Sequence, residues 1–300
     1  MENVIIIGGG PAGLSAAIYL ARADLKPLVF AGSPPGGQLT LTSEVENYPG
    51  FESILGSELI EKMRNQAKKF GAKIIDENVL KVDFAESSNK IYTTEKTYES
   101  KSIIIATGAK AIWLNLPSET RLRGKGVSAC ATCDGFFFRE KTVAVIGGGD
   151  TALEEALTLT KFAKKVYIIH RRDFFRASKI MQERVLKNEK IEVIWSSATE
   201  EILGEKKVEG IRLKIKNAES KIINLDGVFV AIGHKPDTDL FKGKVDLDEK
   251  GYIKILERRR TSAKGVFAAG DCADPYYRQA ITSAGTGVEA ALEVERYLEL

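Results

Sequence analysis

Val4-Ile5-Ile6-Ile7-Gly8-Gly9-Gly10-Pro11-Ala12-Gly13 decides the fold, because Val143-Ala144-Val145-Ile146-Gly147-Gly148-Gly149-Asp150-Thr151-Ala152 repeats it further along the chain. Each stretch is an apolar run that closes on glycines and opens into a helix-like segment, 14–23 in the first copy and 153–163 in the second. Short apolar runs bounded by glycine predict strands buried on both faces. A second such run follows in each copy, at 27–30 and 166–169. A third closes on glycine again: Ile103-Ile104-Ile105-Ala106-Thr107-Gly108 and Val228-Phe229-Val230-Ala231-Ile232-Gly233. Strand, crossover helix and parallel strand make up a mononucleotide-binding half, so two copies imply two halves. Amphipathic segments at 73–84 and 191–202 read as a smaller β-rich insertion.

The tail after Gly233 is not a third copy. It carries a strand at 265–269, then Gly270-Asp271-Cys272, then a helix at about 284–298. One strand and one helix cannot bury a core of their own, so they are expected to return to the first domain. The expected fold is α/β, with two Rossmann-like nucleotide-binding domains of the three-layer FAD/NAD(P)-binding type, the second inserted into the first. Residues 1–112 with 243–300 form the discontinuous domain and 113–242 the inserted one, with linkers near 112–117 and 234–241.

The first glycine set fits G-x-G-x-x-G at Gly8, Gly10 and Gly13, with Pro11 and Ala12 opening the helix. Gly8 allows the tight turn, Gly10 lets backbone approach a pyrophosphate, and Gly13 allows close helix–strand packing. The helix N-terminus then faces the anion. The acid that ordinarily binds the ribose at the end of the second strand is missing, since the chain reads Val29-Phe30-Ala31-Gly32-Ser33 there.

The second set fits G-x-G-x-x-A at Gly147, Gly149 and Ala152, with Asp150 and Thr151 between. His170-Arg171-Arg172 stand at the end of the following strand and Arg176 just beyond. Arginines bind a 2′-phosphate that an acid would repel, so this half favours NADP over NAD. The bland alternative is a solvated basic loop, partly neutralised by Asp173.

Cys130-Ala131-Thr132-Cys133-Asp134 is the third constellation. Cysteines at this spacing can close and reopen a small disulfide, and Asp134 can handle the proton that thiol chemistry requires. Half a zinc site is the competing reading. It would need ligands from Cys272, His170 and His234, the only other cysteine and histidines in the chain. Phe136-Phe137-Phe138-Arg139 follows, and two readings stay open: entry to a core strand, or an aromatic patch for a docking partner. Asp271, at a strand end, is placed to accept from a ligand hydroxyl. The helix after it can aim its positive end at an anionic flavin. Cys272 reads as a small buried filler.

Composition narrows the class. The net charge is +3 and Arg258-Arg259-Arg260 is the longest basic cluster, which argues against nucleic acid. The apolar runs are too short to span a membrane. The start carries no signal-peptide pattern, so a cytoplasmic protein is expected, where a close cysteine pair is catalytic or metal-binding rather than structural.

These residues resemble the low-molecular-weight thioredoxin reductases along nearly the whole chain. The resemblance runs through Gly8–Gly13, Gly36-Gly37-Gln38-Leu39, Glu44-Val45-Glu46-Asn47-Tyr48-Pro49-Gly50, Ala106-Thr107-Gly108, Cys130–Gly135, Gly147–Ala152, the His170–Ala177 run and Phe267–Cys272. The pentad sits shortly before the second glycine loop, unlike the glutathione reductase type. The resemblance implies FAD held by Gly8, Gly10, Pro11, Ala12, Gly13, Gly36, Gly37, Gln38, Asn47, Thr107, Gly108, Asp271, Arg278, Gln279 and Ala280. It implies NADPH on Gly147, Gly149, Asp150, Thr151, Ala152, His170, Arg171, Arg172, Arg176, Ile232 and Gly233. Cys130, Cys133 and Asp134 would be catalytic, thioredoxin or a thioredoxin-like protein the acceptor, and the enzyme a homodimer whose domains rotate about the linkers. Rival readings are a related flavoprotein with another donor or acceptor (ferredoxin-dependent, or a dithiol oxidase) and a flavin-binding scaffold without turnover.

Overall fold

The last four residues of β1 (Glu2–Ile7) are buried, as an apolar strand with parallel neighbours on both sides requires. We analysed a computed structural model that describes every residue except 34, 42–44, 46, 86, 87 and 300; the side chains of Leu41 and Cys133 also lie outside the described set. Gly8 turns the chain at φ +126°, and a Cβ there would stand 2.0 Å from the Ala106 carbonyl oxygen. The chain then enters α1 (Pro11–Arg22), with Pro11 in its first turn, where a fixed φ and a missing N–H cost nothing.

The chain continues through β2 (Leu28–Phe30), α2 (Gly56–Lys69), β3 (Lys73–Ile75), β4 (Lys81–Phe84), β5 (Asn89–Tyr92), β6 (Thr97–Ile105) and β7 (Ala109–Ala111). The segment expected at 73–84 is thus two separate strands. There follow α3 (Pro117–Leu122), β8 (Val127–Ser128), α4 (Ala131–Asp134), β9 (Thr142–Ile146), α5 (Asp150–Leu159), β10 (Lys165–Ile169), α6 (Lys179–Leu186) and β11 (Ile191–Ile194). Then come β12 (Ser197–Leu203), β13 (Gly210–Ile215), β14 (Lys221–Asn224), β15 (Gly227–Val230) and β16 (His234–Pro236). The chain closes with β17 (Val266–Ala268) and α7 (Ala280–Glu299).

The chain forms two compact units, Met1–Lys110 with Lys235–Leu300, and Ala111–His234. In the discontinuous unit the strand order is β3-β2-β1-β6-β5-β4, with β17 also on β6. β6 divides its length: Thr97 to Ser100 pair antiparallel with β5, and Ile103 to Ile105 pair parallel with β17. The returning segment therefore completes the sheet, and α7 lies against α1 so closely that a Cβ on Gly287 would meet the Ala12 carbonyl oxygen at 2.1 Å. α7 begins before the expected residue 284. The Gln279 amide donates to Thr282 Oγ1 (3.2 Å) and the Gln279 carbonyl accepts from Ser283 (2.9 Å), a side-chain cap that starts the helix early.

The inserted unit has a five-stranded parallel sheet, β11-β10-β9-β15-β8, and a three-stranded antiparallel sheet, β12-β13-β14. Its core gathers Val143, Val145, Ala152, Leu153, Ala156, Leu159 and Phe229 between sheet and α5. Each buried valine, leucine or phenylalanine among them contributes about 1.5–3 kcal/mol. The passages between units, β7 and β16, pair as a two-stranded sheet.

Candidate active site

In the discontinuous unit the glycines divide by task. A Cβ on Gly13 would stand 1.9 Å from the Gly8 carbonyl oxygen, so Gly8 and Gly13 are fixed by packing. Gly10, which precedes α1, is open: the nearest atom to a Cβ there is the Gly36 carbonyl oxygen at 3.9 Å. Gly36 (φ +101°) and Gly37 (φ +68°) make a left-handed turn, and a Cβ on Gly37 would lie 3.9 Å from the Gly10 Cα. Two bare backbone turns thus face one another, a cradle that fits a pyrophosphate. Gln38 opens the short helical turn Gln38–Leu41 beside it.

Asp271 follows a glycine that packs on the first turn of α1. A Cβ on Gly270, the residue before it, would be 2.9 Å from Ala12 Cβ. The Ser283 hydroxyl donates to Asp271 Oδ1 at 2.7 Å, and burial pushes the Asp271 carboxyl above its ordinary range. Asp274 orders the loop that follows, accepting from the amides of Tyr276 (2.9 Å), Tyr277 (3.0 Å) and Arg278 (3.1 Å). This holds Arg278 at φ +51°. Next to it, Asn47 Nδ2 donates to Gln279 Oε1 at 3.2 Å. Glu44 and Glu46, from the same run as Asn47, lie outside the described residues. The Thr107 hydroxyl donates to the Asp237 carbonyl at 2.7 Å, and the Asp237 amide to the Gly108 carbonyl at 2.9 Å. Cys272 is the buried filler expected, fully enclosed and with its thiol pushed up to about 11 by burial.

No acid stands at the end of β2, where Ala31 packs against the glycine loop. Ala31 lies under the glycine loop, its Cβ only 2.6 Å from where a Gly9 Cβ would stand. Gly9 therefore has no room for a side chain of its own above Ala31. Glu77 comes to this strand end instead: its carbonyl accepts from the Gly32 amide at 3.1 Å. Its Oε2 is buried without a hydrogen-bond partner among the described residues.

In the inserted unit the second glycine loop has the same division. A Cβ on Gly147 (φ +156°) would meet the Ala231 carbonyl oxygen at 2.3 Å, whereas nothing lies within 4 Å of one on Gly149. Asp150, Thr151 and Ala152 form the first turn of α5. Ile232 and Gly233 follow Ala231 directly, with Gly233 at φ +118°. Gly148 lies against the His170 ring, 2.2 Å from a Cβ built there. His170 is buried, and burial, aided by Arg176, Arg172 and Arg171, holds its pKa below the ordinary value. The neutral ring donates from Nε2 to the Phe174 carbonyl at 3.0 Å. Arg171, Arg172 and Arg176 are exposed, and none of them forms an ion pair among the described residues, with Asp173 or otherwise. Arg172 lies over the Phe174 ring at 5.7 Å.

Cys130 is disulfide-bonded, and Cys272 is the free cysteine. The side chain of Cys133 lies outside the described residues. The Cys130 amide donates to Ser128 Oγ at 3.1 Å, and the Cys130 carbonyl accepts from the Asp134 amide at 3.2 Å. The structure divides Phe136–Phe138. Phe138 enters the core against Phe229 at 5.2 Å, while Phe136 and Phe137 are 60% and 66% exposed.

Sequence reasoning missed Ser283, Asp274, Glu77 and Glu155. Glu155 left the clearest signal. It falls on the apolar stripe of α5 with Ala152, Ala156 and Leu159, where a carboxylate is out of place. Its Oε2 accepts the amide of Ala131, the residue after Cys130.

Two glycine cradles at the ends of parallel strands and a disulfide-bonded cysteine at the head of a short turn point to one family, and the family described as pyridine nucleotide-disulphide oxidoreductase matches residues 2–288. The chain belongs to it. Among pyridine nucleotide-disulphide oxidoreductases, thioredoxin reductase of Rickettsia conorii is 54% identical over 303 residues, covering 99% of this chain and 98% of that protein. Thioredoxin reductase of Streptomyces coelicolor is 51% identical, covering 99% and 94%. The crystal structure of Lactococcus lactis thioredoxin reductase matches with a TM-score of 0.84 and 42% identity over the full length of both chains.

Proposed function

We propose that this oxidoreductase is an NADPH-dependent thioredoxin reductase. The observation that carries the reading is the disulfide-bonded Cys130 held on the same unit as an open glycine loop and an exposed arginine cluster without ion pairs among the described residues. Full-length likeness to thioredoxin reductases supports it. In this reading the unit of Met1–Lys110 with Lys235–Leu300 is the FAD domain and Ala111–His234 the NADPH domain, so 235–242 falls outside the NADPH domain expected at 113–242.

FAD and NADPH, when bound, supply hydride and electron transfer. The chain supplies binding and position. Gly10, Gly36, Gly37 and Gln38 hold the flavin nucleotide's pyrophosphate, with Asp271, Asn47, Thr107, Arg278, Gln279 and Ala280 along the rest of it. The orphaned Glu77 oxygen supports Glu77 as the ribose acceptor in place of the acid absent at Ala31. Gly149 takes the NADPH pyrophosphate, and Arg171, Arg172 and Arg176 the 2′-phosphate. The reduced Cys130/Cys133 dithiol opens the partner disulfide. One thiolate attacks a partner sulfur to form a mixed disulfide, and the other displaces it, leaving a dithiol on thioredoxin and the disulfide re-formed here. Asp134 holds the proton exchanged in that step. Exposed Phe136 and Phe137 offer thioredoxin an aromatic docking patch. The working form is a homodimer in the cytoplasm, checked by light scattering and by cell fractionation.

The test is anaerobic. NADPH should bleach the flavin absorbance rapidly, NADH slowly, and oxidised thioredoxin should restore it. In Cys130→Ser, bleaching should persist while thioredoxin reduction falls at least about 1000-fold. A yellow protein that neither nucleotide bleaches would sink the reading.

A further inference from the structure

Cys130 is anchored through its own amide, on Ser128 Oγ, and through its carbonyl, which the Asp134 amide reaches. The next amide, that of fully buried Ala131, goes to Glu155 Oε2 on another helix. A glutamine oxygen could accept that hydrogen bond from the same position without carrying a charge. A carboxylate on the buried stripe of α5 is costly to ionise, and the Ala131 amide is its hydrogen-bond partner.

We propose that Glu155 is a positioning residue for the redox pair: it fixes the turn after Cys130 through the Ala131 amide, and its negative charge disfavours the Cys130 thiolate when the pair is reduced. This rests on the disulfide-reductase reading above. Burial pushes the Glu155 carboxyl up to about 7; the Ala131 amide opposes that, and the charges of Glu154 on its own helix and Asp134 on the turn add to it. The charge beside Cys130 therefore switches on across neutrality. Below that range the neutral acid holds the turn without opposing the thiolate. Above it, the supply of thiolate is restrained where it would otherwise grow steeply.

The experiment uses the purified holoprotein. Excess dithiothreitol gives the disulfide two electrons and two hydrogens, opening it to two thiols while the reagent closes into its own cyclic disulfide. After anaerobic removal of the reagent, the rate of Cys130 alkylation by iodoacetamide is followed by peptide mass spectrometry from pH 5.5 to 9. Wild type and Glu155→Gln should react alike below about pH 6. Above pH 7 the variant should react roughly three- to tenfold faster. Profiles that coincide or run parallel throughout overturn the proposal, since a merely structural hydrogen bond predicts no pH-dependent divergence. Should Glu155→Gln fail to fold, Glu154→Gln carries the test. Removing that neighbouring charge should move the inflection of the alkylation profile to lower pH, and an unmoved inflection overturns the idea. A wild type that NADPH cannot reduce, yet whose alkylation profiles diverge as expected, would count against the reductase reading alone.

Discussion

The Arg176 amide donates to the Gly148 carbonyl across 2.8 Å, and two residues later the Ser178 amide donates to Asp150 Oδ1, also at 2.8 Å. The arginine loop and the glycine loop, distant in sequence, are one rigid piece. In the proposed reading, a nucleotide held at the glycine loop therefore meets the arginines in a fixed register.

Arg176→Ala leaves this backbone bond intact and removes only the guanidinium. The KM for NADPH should rise about 10- to 100-fold, corresponding to roughly 1.5–3 kcal/mol for a hydrogen bond to a charged group. The KM for NADH, which lacks the 2′-phosphate, should hardly move. Steady-state kinetics with both nucleotides decide this; an equal loss for both would show that the arginine serves the fold and not the phosphate.

The two glycines flanking Gly148 should fail in opposite ways. Gly149→Val meets open space at φ −101°, so stability should stay within about 1 kcal/mol while NADPH binding is lost. Gly147→Ala meets the Ala231 carbonyl at 2.3 Å with a left-handed backbone, and should cost about 2–4 kcal/mol. Urea unfolding and nucleotide titration separate the two effects.

Glu77→Gln should weaken FAD binding by about tenfold or more, because an amide replaces a charged acceptor, with little change in Tm. Titration of apoprotein with FAD, read by quenching of flavin fluorescence, measures it. Unchanged affinity would leave the ribose to another group.

His170 makes the inserted unit sensitive to mild acid. Its folded pKa lies below the unfolded value, so between those values the unfolded chain binds more protons. The stability it contributes is complete above about pH 6.5 and is lost as pH falls through the depressed folded value. His170→Asn should flatten the dependence of urea midpoint on pH from 7 to 5. Trp195, whose ring is 6.2 Å from His170, is a fluorescence reporter for it.

Much of this was legible in the sequence. The repeated apolar-run-and-glycine pattern carried both nucleotide folds, and the need of a lone strand and helix for a partner carried the return of β17 and α7. Resemblance alone pointed to Gly36 and Gly37; their approach to Gly10 depends on where α2 and the preceding turns pack. Local pattern could not place the start of α7, which Gln279 and Thr282 set through a side-chain cap. It read Phe136, Phe137 and Phe138 as one block, although the turn exposes two rings and buries the third. Ala31 looked like an absent ligand until its contact with Gly9 showed a packing position. Ser283 and Glu77 acquire meaning only through tertiary contacts, which no spacing rule reaches.

The shared strand β6 has a consequence for biosynthesis. Its second half waits for β17, which lies beyond the entire inserted unit, whereas that unit is one continuous stretch of chain. During translation the inserted unit can close while the sheet around β6 still exposes Ile103, Ile104 and Ile105 along an unpaired edge. The half made first is thus the half finished last, and for that interval the nascent chain carries an apolar edge open to mispairing.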